Sequence, residues 1–509
     1  MKKRMIPAAC AALMIFSLTA CQASQTMASQ NVAASASETT AAADSAGTRD
    51  ESKPEPPSGD GQTPPAPPDG TGSPNGSGQT PPDMPDGGQG PGGNEKMPGG
   101  GQTPGGGSSG QISQGTAATT LNEDGSCTGE TYSSTGDDEN ALRVNGASVT
   151  LTDITVAKTA GASSDVNAGD FYGANAALLA TNGASVTITG ADVTSSAQNG
   201  NGVFSYGNGT SVTISDSTIT TSADNSGGLQ TTGGASMTAG NLTVNTAGNS
   251  SAAIRSDRGG GTVSVDGGSY TSTGYNSPAV YSTADITVKN AVLTAENSEA
   301  LVIEGQNSIT LENCAVSGNM SDTKGTSSDE NVHNIMIYQS MSGDAEVGTS
   351  ALSITGGTLT GNNGDMIYVT NTHSLITLSG VTIENKETDG YFLLVSGNTG
   401  SRGWGKAGSN GAQAEFTADN QTITGDIAVD TVSTLDLRLT NGSVLTGTIN
   451  IIENAQGGAA VDDNAVVTVD SGCTWNLTGD CAITSLDGDG TINYNGYSIT
   501  LADGTILSE

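Results

Sequence analysis

The sequence predicts an all-β fold, a right-handed parallel β-helix solenoid of about ten to thirteen coils, and three observations carry that expectation. The first is an eight-residue phrase repeated nine times without internal gaps, with Val186-Thr187-Ile188-Thr189-Gly190-Ala191-Asp192-Val193 as a clear copy. Its first position reads Val149, Val186, Val212, Met237, Val263, Ile286, Ile309, Leu352 and Ile376. The second position is Thr or Ser and the third is apolar, the alternation of a strand with one buried face. The second observation is position five, occupied by Asp153, Gly190, Asp216, Asn241, Gly267, Asn290, Asn313, Gly356 and Gly380. These residue types tolerate left-handed backbone, so the strand bends there and an apolar position eight returns to the same core. The third is spacing. Copies recur mostly every 23 to 26 residues, and a second apolar strand such as Ala177-Leu178-Leu179 or Ala279-Val280-Tyr281 precedes each. Strand, bend and strand closing at that period make one coil of a stack. The shorter apolar repeat of left-handed hexapeptide helices is absent, which makes the expected hand right.

Taken in order, residues 1–21 read as a targeting segment. Lys2, Lys3 and Arg4 precede an apolar run, Ile6 to Leu18, too short to span a bilayer. The run ends in Leu18-Thr19-Ala20-Cys21, which resembles the lipobox of bacterial lipoproteins. That resemblance implies cleavage before Cys21 and lipidation of Cys21. The protein would then be membrane-anchored, extracytoplasmic and displayed on a bacterial cell surface. Residues 22–118 form a Pro/Gly/Ser-rich stretch with repeats such as Gly61-Gln62-Thr63-Pro64-Pro65. They bury too little apolar surface to offset ordering entropy, so a disordered tether reaching on the order of 100 Å is expected. Residues 119–426 are the β-helix proper. Residues 427–509 are its C-terminal coils and cap, where Gly490-Thr491-Ile492-Asn493-Tyr494 and Ser498-Ile499-Thr500-Leu501 resemble the closing segment of β-helical bacterial surface proteins.

Composition narrows the function classes. The chain has 509 residues, 73 of them Gly, with 4% aromatic and 13% charged residues and a net charge of −36. Tight turns and stacked strands suit these values, and a chain this acidic is not expected to bind nucleic acid. Among the cysteines, Cys314 stands at position six of its phrase, where Ile154, Ala191 and Ala291 stand elsewhere, and reads as a buried thiol. Cys473 and Cys481 flank one strand and a turn, the spacing of a plausible extracellular disulfide. Cys127 has no evident mate, and no spacing suits zinc.

The nine phrases, Val149 to Ile383, resemble the right-handed β-helices of the pectate-lyase-like superfamily. That group includes pectate lyases, polygalacturonases, adhesins and surface proteins that bind pectic polysaccharide without cleaving it, so fold alone does not choose a function. The Gly-His-Gly and Arg-x-Lys motifs of the hydrolases are absent, and His333 and His373 stand in other contexts. The favoured reading is a non-catalytic, monomeric binder of polysaccharide, or of a host or matrix surface. A uronate-specific lyase or hydrolase, and a protein-binding or structural scaffold, are the alternatives. Repeat alignment puts Arg255, Arg258, Arg402 and Lys406 on one edge of the stack, with Asp257 beside the first pair. Gln230, Arg255, Tyr281, Tyr338 and Tyr368 are read as one outward column, and the glycines around Trp404 as leaving that ring exposed. Guanidinium forks pair with carboxylates and aromatic faces pack on sugars, so a uronate chain along the coils would meet both. Two insertions, Gly161–Ala176 and Ser317–Gly348, are rich in oxygen ligands. Asp165, Asn167 and Asp170 in the first are candidates for Ca2+, the ion on which the polygalacturonate-binding relatives depend, although no cofactor is required by this reading.

Overall fold

The computed structural model describes residues 113–320, 331–387 and 389–509. The targeting segment with Cys21, and nearly all of the expected tether, lie outside the described residues. What is described is a right-handed parallel β-helix with three strands to a full coil. The first sheet stacks sixteen strands from Thr116–Leu121 to Ile506–Leu507. All run parallel except the last, which turns back antiparallel on Ile499–Leu501 and covers that edge. The second, of twenty-two strands, is built from the two halves of the phrase. Those halves fuse because Ala235–Thr246 and Gly261–Ser272 run through the bend as single strands. A four-stranded sheet, Thr422–Thr424, Val444–Thr446, Thr474–Asn476 and Thr491–Asn493, takes the station of the second half in the last coils.

The phrase does what its chemistry requires. In Ser185–Thr189, Val186 and Ile188 are buried while Thr187 faces solvent. All nine position-five residues have positive φ, from +50° at Asp216 to +77° at Gly267. In-register stacking makes each buried column continuous. On the first sheet Leu178, Val203, Leu229, Ile254, Val280, Leu301, Ile335, Ile367, Leu393 and Ile427 follow one another rung by rung. Each such side chain, taken from water, contributes about 1.5–3 kcal/mol, and no polar group interrupts the column.

The stack is longer than its legible copies. Gly125, Cys127 and Tyr132 pair with Val149, Leu151 and Val156, and Gly129 bends at φ +69°. Gly125 to Tyr132 is therefore another phrase, with Cys127 at position three, which explains a cysteine that had no evident role. Phe416 to Ile423 is a further one, with Phe416 paired to Ile376 and a bend at Asn420, φ +48°. A Gly at an apolar position and an Ala at position three hid these copies.

At Gly357, the residue after one bend, there is no room for a side chain. A Cβ on Gly357 would lie 2.0 Å from the Cys314 carbonyl oxygen, at φ +72°. Gly357→Ala is expected to lower the urea midpoint by an amount equivalent to about 2 kcal/mol or more. Asn313→Gly, at a bend already in left-handed backbone, should change stability by less than about 1 kcal/mol.

Candidate binding face

The strands of the first sheet point one set of side chains inward and the other outward, and the outward set is unusual for a surface. Register gives one outer column as Leu179, Phe204, Gln230, Arg255, Tyr281, Val302, Met336, Tyr368 and Leu394. Tyr338 does not belong to it. It follows Glu304 and precedes Thr370, two residues further along the strand. Placing Tyr338 and Tyr368 in one column aligns Ile335-Met336-Ile337-Tyr338 with Asp365-Met366-Ile367-Tyr368, but the chain pairs Ile335 with Ile367. A slip of two residues preserves inside and outside, so alternation alone could not detect it.

This outer face is covered rather than open. Ala176, Leu179 and Phe204 form one apolar cluster, with Tyr206 against it. Val302, Met336, Tyr338, Tyr368 and Trp404 form another, with Tyr281 and Leu394 alongside. The Trp404 ring is buried, its centroid 4.6 Å from that of Tyr338. This corrects the expectation that its flanking glycines expose it. Gly403 and Gly405, at φ +80° and +74°, instead let the loop fold back over the sheet. Arg402 stacks on the ring from outside, 4.3 Å from centroid, and Lys406 is exposed.

Between the two clusters lies a charged seam. The Gly161–Ala176 insertion contains a helix, α1 (Val166–Tyr172), and not an irregular loop. Asp165 caps it by accepting from the Asn167 amide, and Gly173 ends it in left-handed backbone. An Asp and a Gly bracketing a short helical stretch was the signal available in the sequence. From α1, Asp170 accepts from Asn199 Nδ2 at 2.8 Å and lies 3.9 Å from the Arg255 guanidinium. Arg255 Nε sits 2.6 Å from Asp257 Oδ2, which also accepts from Gln230 Nε2 at 2.8 Å. Gln230 Nε2 reaches the Asp170 carbonyl as well, and Thr232 donates to the Phe171 carbonyl. Side chains of Arg255 and Asp170 are only 13% exposed and that of Asp257 7%. Burial pushes the Asp257 carboxyl up to about 7, with Arg255 opposing and Asp170 reinforcing the rise; Asp170 is raised for the same leading reason.

Arg258 ties this seam to a second insertion. Its guanidinium lies 4.1 Å over the Phe171 ring and donates to Asp344 Oδ1 at 2.6 and 3.1 Å. Asp344 accepts from Ser342, whose neighbour Ser340 donates to Glu304. The buried Glu304 carboxylate also accepts from Tyr281 at 2.5 Å and Tyr338 at 2.9 Å. Burial, then the Glu304 charge, holds both phenols well above the usual tyrosine range. The predicted residues Gln230, Arg255, Asp257, Arg258, Tyr281 and Tyr338 are thus brought together, but as a network satisfied within the protein. Glu304, Asp344 and Phe171, which hold it, are missed by a search for departures from the phrase. An acid at the last position of a core strand gives no sequence signal of that role.

Of the residues read as Ca2+ candidates, Asp165 caps α1 through the Asn167 amide and Asp170 faces the sheet. Among the described residues no group of three or more His, Cys, Asp and Glu is arranged to hold a metal ion. Asp322, Asp329 and Glu330 of the other insertion lie outside the described residues. The Cys473–Cys481 disulfide is also corrected, since both are free buried thiols. Cys473 stands two residues before Trp475, which pairs with Leu445 at a phrase corner. Cys481 belongs to the core column of the first sheet, paired with Ile499. Burial pushes the Cys481 thiol up to about 11. An alkylating reagent at pH 8 is therefore expected to label neither cysteine in the folded protein and both in 8 M urea without reductant, read by peptide mass. The Cys314 thiol is buried as expected and bonds the Val288 carbonyl.

No protein-family model and no curated protein matches this chain. Among solved structures, a chain from "The cryo-EM structure of the Vag8-C1 inhibitor complex" is matched at 15% identity and a TM-score of 0.43. The match covers 74% of this chain and 99% of that one.

Proposed function

We propose that this protein is a lipid-anchored, non-catalytic adhesin or binding scaffold of the bacterial surface, held off the membrane by its tether. One observation carries the reading. The phrase keeps its length through nine coils, while α1, residues 339–348 and residues 397–411 enter or leave at the ends of the first sheet and fold over it. Function in a rigid stack is expected on the loops that vary, and here they share one face. The ligand-contacting groups are the outer residues of those loops, Arg402, Lys406, Met341 and Val347, the last two 50% and 68% exposed. Arg255 serves instead to hold the loops, because its charge is matched internally.

Polysaccharide is the second reading, favoured by two cations on one loop, Arg402 and Lys406, which suit the carboxylates of a uronate chain. The test presents the full chain to a glycan array that includes oligogalacturonates, with and without calcium, and to immobilised matrix proteins. Saturable binding reduced about tenfold by Arg402→Ala with Lys406→Ala supports the loop face. Binding unchanged by that pair and by Met341→Ser with Val347→Ser removes it. Release of unsaturated uronate would replace the binder with a lyase.

A further inference from the structure

We propose that the seat of α1 on the first sheet is a proton-linked latch, in which Asp170 and Asp257 share one proton across Arg255 and release it when the helix lifts. The geometry requires a charge imbalance. Asp170 and Asp257 flank a single guanidinium, and Arg258, the other cation at the seam among the described residues, is committed to Asp344 at 2.6 Å. Three carboxylates therefore face two guanidiniums, with side chains almost withdrawn from water around Arg255. The other groups that face the site do not correct this. Asp165 on α1 is a fourth acid, Tyr281 from the next coil adds a neutral phenol bonded to Glu304, and Gln230 and Asn199 are neutral donors. Two carboxylates that compete for one cation in a buried site do not both ionise at no cost, so one retains a proton.

The direction of the linkage follows. With α1 seated, Asp257 holds its proton to about pH 7. With α1 lifted, the carboxyls meet water and release it near 3.9. Protons therefore favour the seated helix throughout that window, and the advantage fades as pH rises through 7. Lifting α1 also takes Phe171 off Arg258, the residue that holds Asp344 of the second insertion.

Hydrogen exchange on the full chain, corrected for the intrinsic effect of pH, tests this. Protection of Gly169 and Ala174, whose amides close α1 on Asp165 and Ala168, is expected to fall by up to about tenfold per pH unit between pH 5 and 7 and to level off above it. The core strand His333–Tyr338 is the internal control and should not follow. Asp257→Asn or Asp170→Asn, each of which supplies a permanently neutral partner, should flatten the slope and keep α1 protected at pH 8. Level protection in the unaltered chain, a slope shared with the control strand, or an unchanged slope in both variants overturns the latch.

Discussion

Truncating Arg255 to alanine is expected to cost about 3–5 kcal/mol at pH 8 and much less at pH 5.5, measured as urea midpoints of the full chain. At the higher pH folding must either bury Asp170 and Asp257 as unpaired charges or protonate them against the solvent, in a seam that admits little water. Removing the guanidinium raises both carboxyls further, so at the lower pH both hold protons and no bare charge is left behind. A surface ion pair differs in size, since its loss would matter little at either pH. Equal destabilisation at both values would mean that Arg255 acts by packing its stem alone.

Trp475→Ala is expected to cost about 3–5 kcal/mol and to act on one end of the molecule. The indole is fully buried, lies between Leu445 and Ile492 in its column, and donates from Nε1 to the Gly447 carbonyl at 3.0 Å. Coils in a solenoid support their neighbours and not the whole, so the loss should open the C-terminal coils first. Limited proteolysis is expected to cut after about residue 440 while Val149 to Ile423 resists. Trp475→Phe should recover more than half of the loss. Uniform cleavage along the chain would contradict nearest-neighbour stability.

The fold was legible because its signal was repeated. Any one Val-Thr-Ile is weak, but nine in register with an Asn, Asp or Gly two residues later admit one architecture. The ends were less so, since Gly125 and Ala418 fill columns that only neighbouring coils identify as core. The candidate face was half legible. Arg255, Arg258 and Tyr281 stood out as departures from the phrase, and they do meet. Their pairing with Asp170, Glu304 and Asp344 was not legible, because these come from insertions and strand ends with no repeat to compare them against, and Asp170 read as a calcium ligand. Whether an outward arginine greets a ligand or an internal carboxylate is decided by loops folding over the sheet. Periodicity describes the sheet and is silent about what lies on it.

The left-handed bend inside the phrase has a consequence for how such a molecule diversifies. Through the nine copies it joins its two strands with no residue added or lost, and only nearer the C-terminus does a coil, Leu437 to Leu445, carry one residue more while still burying Leu445. The ends of the first sheet carry no such constraint, and loops of very different length leave from them. Change is thereby channelled: in these nine coils one corner keeps its length while the loops at the ends of the first sheet vary. A lineage of these chains can rewrite one face repeatedly while inheriting the opposite face nearly unchanged.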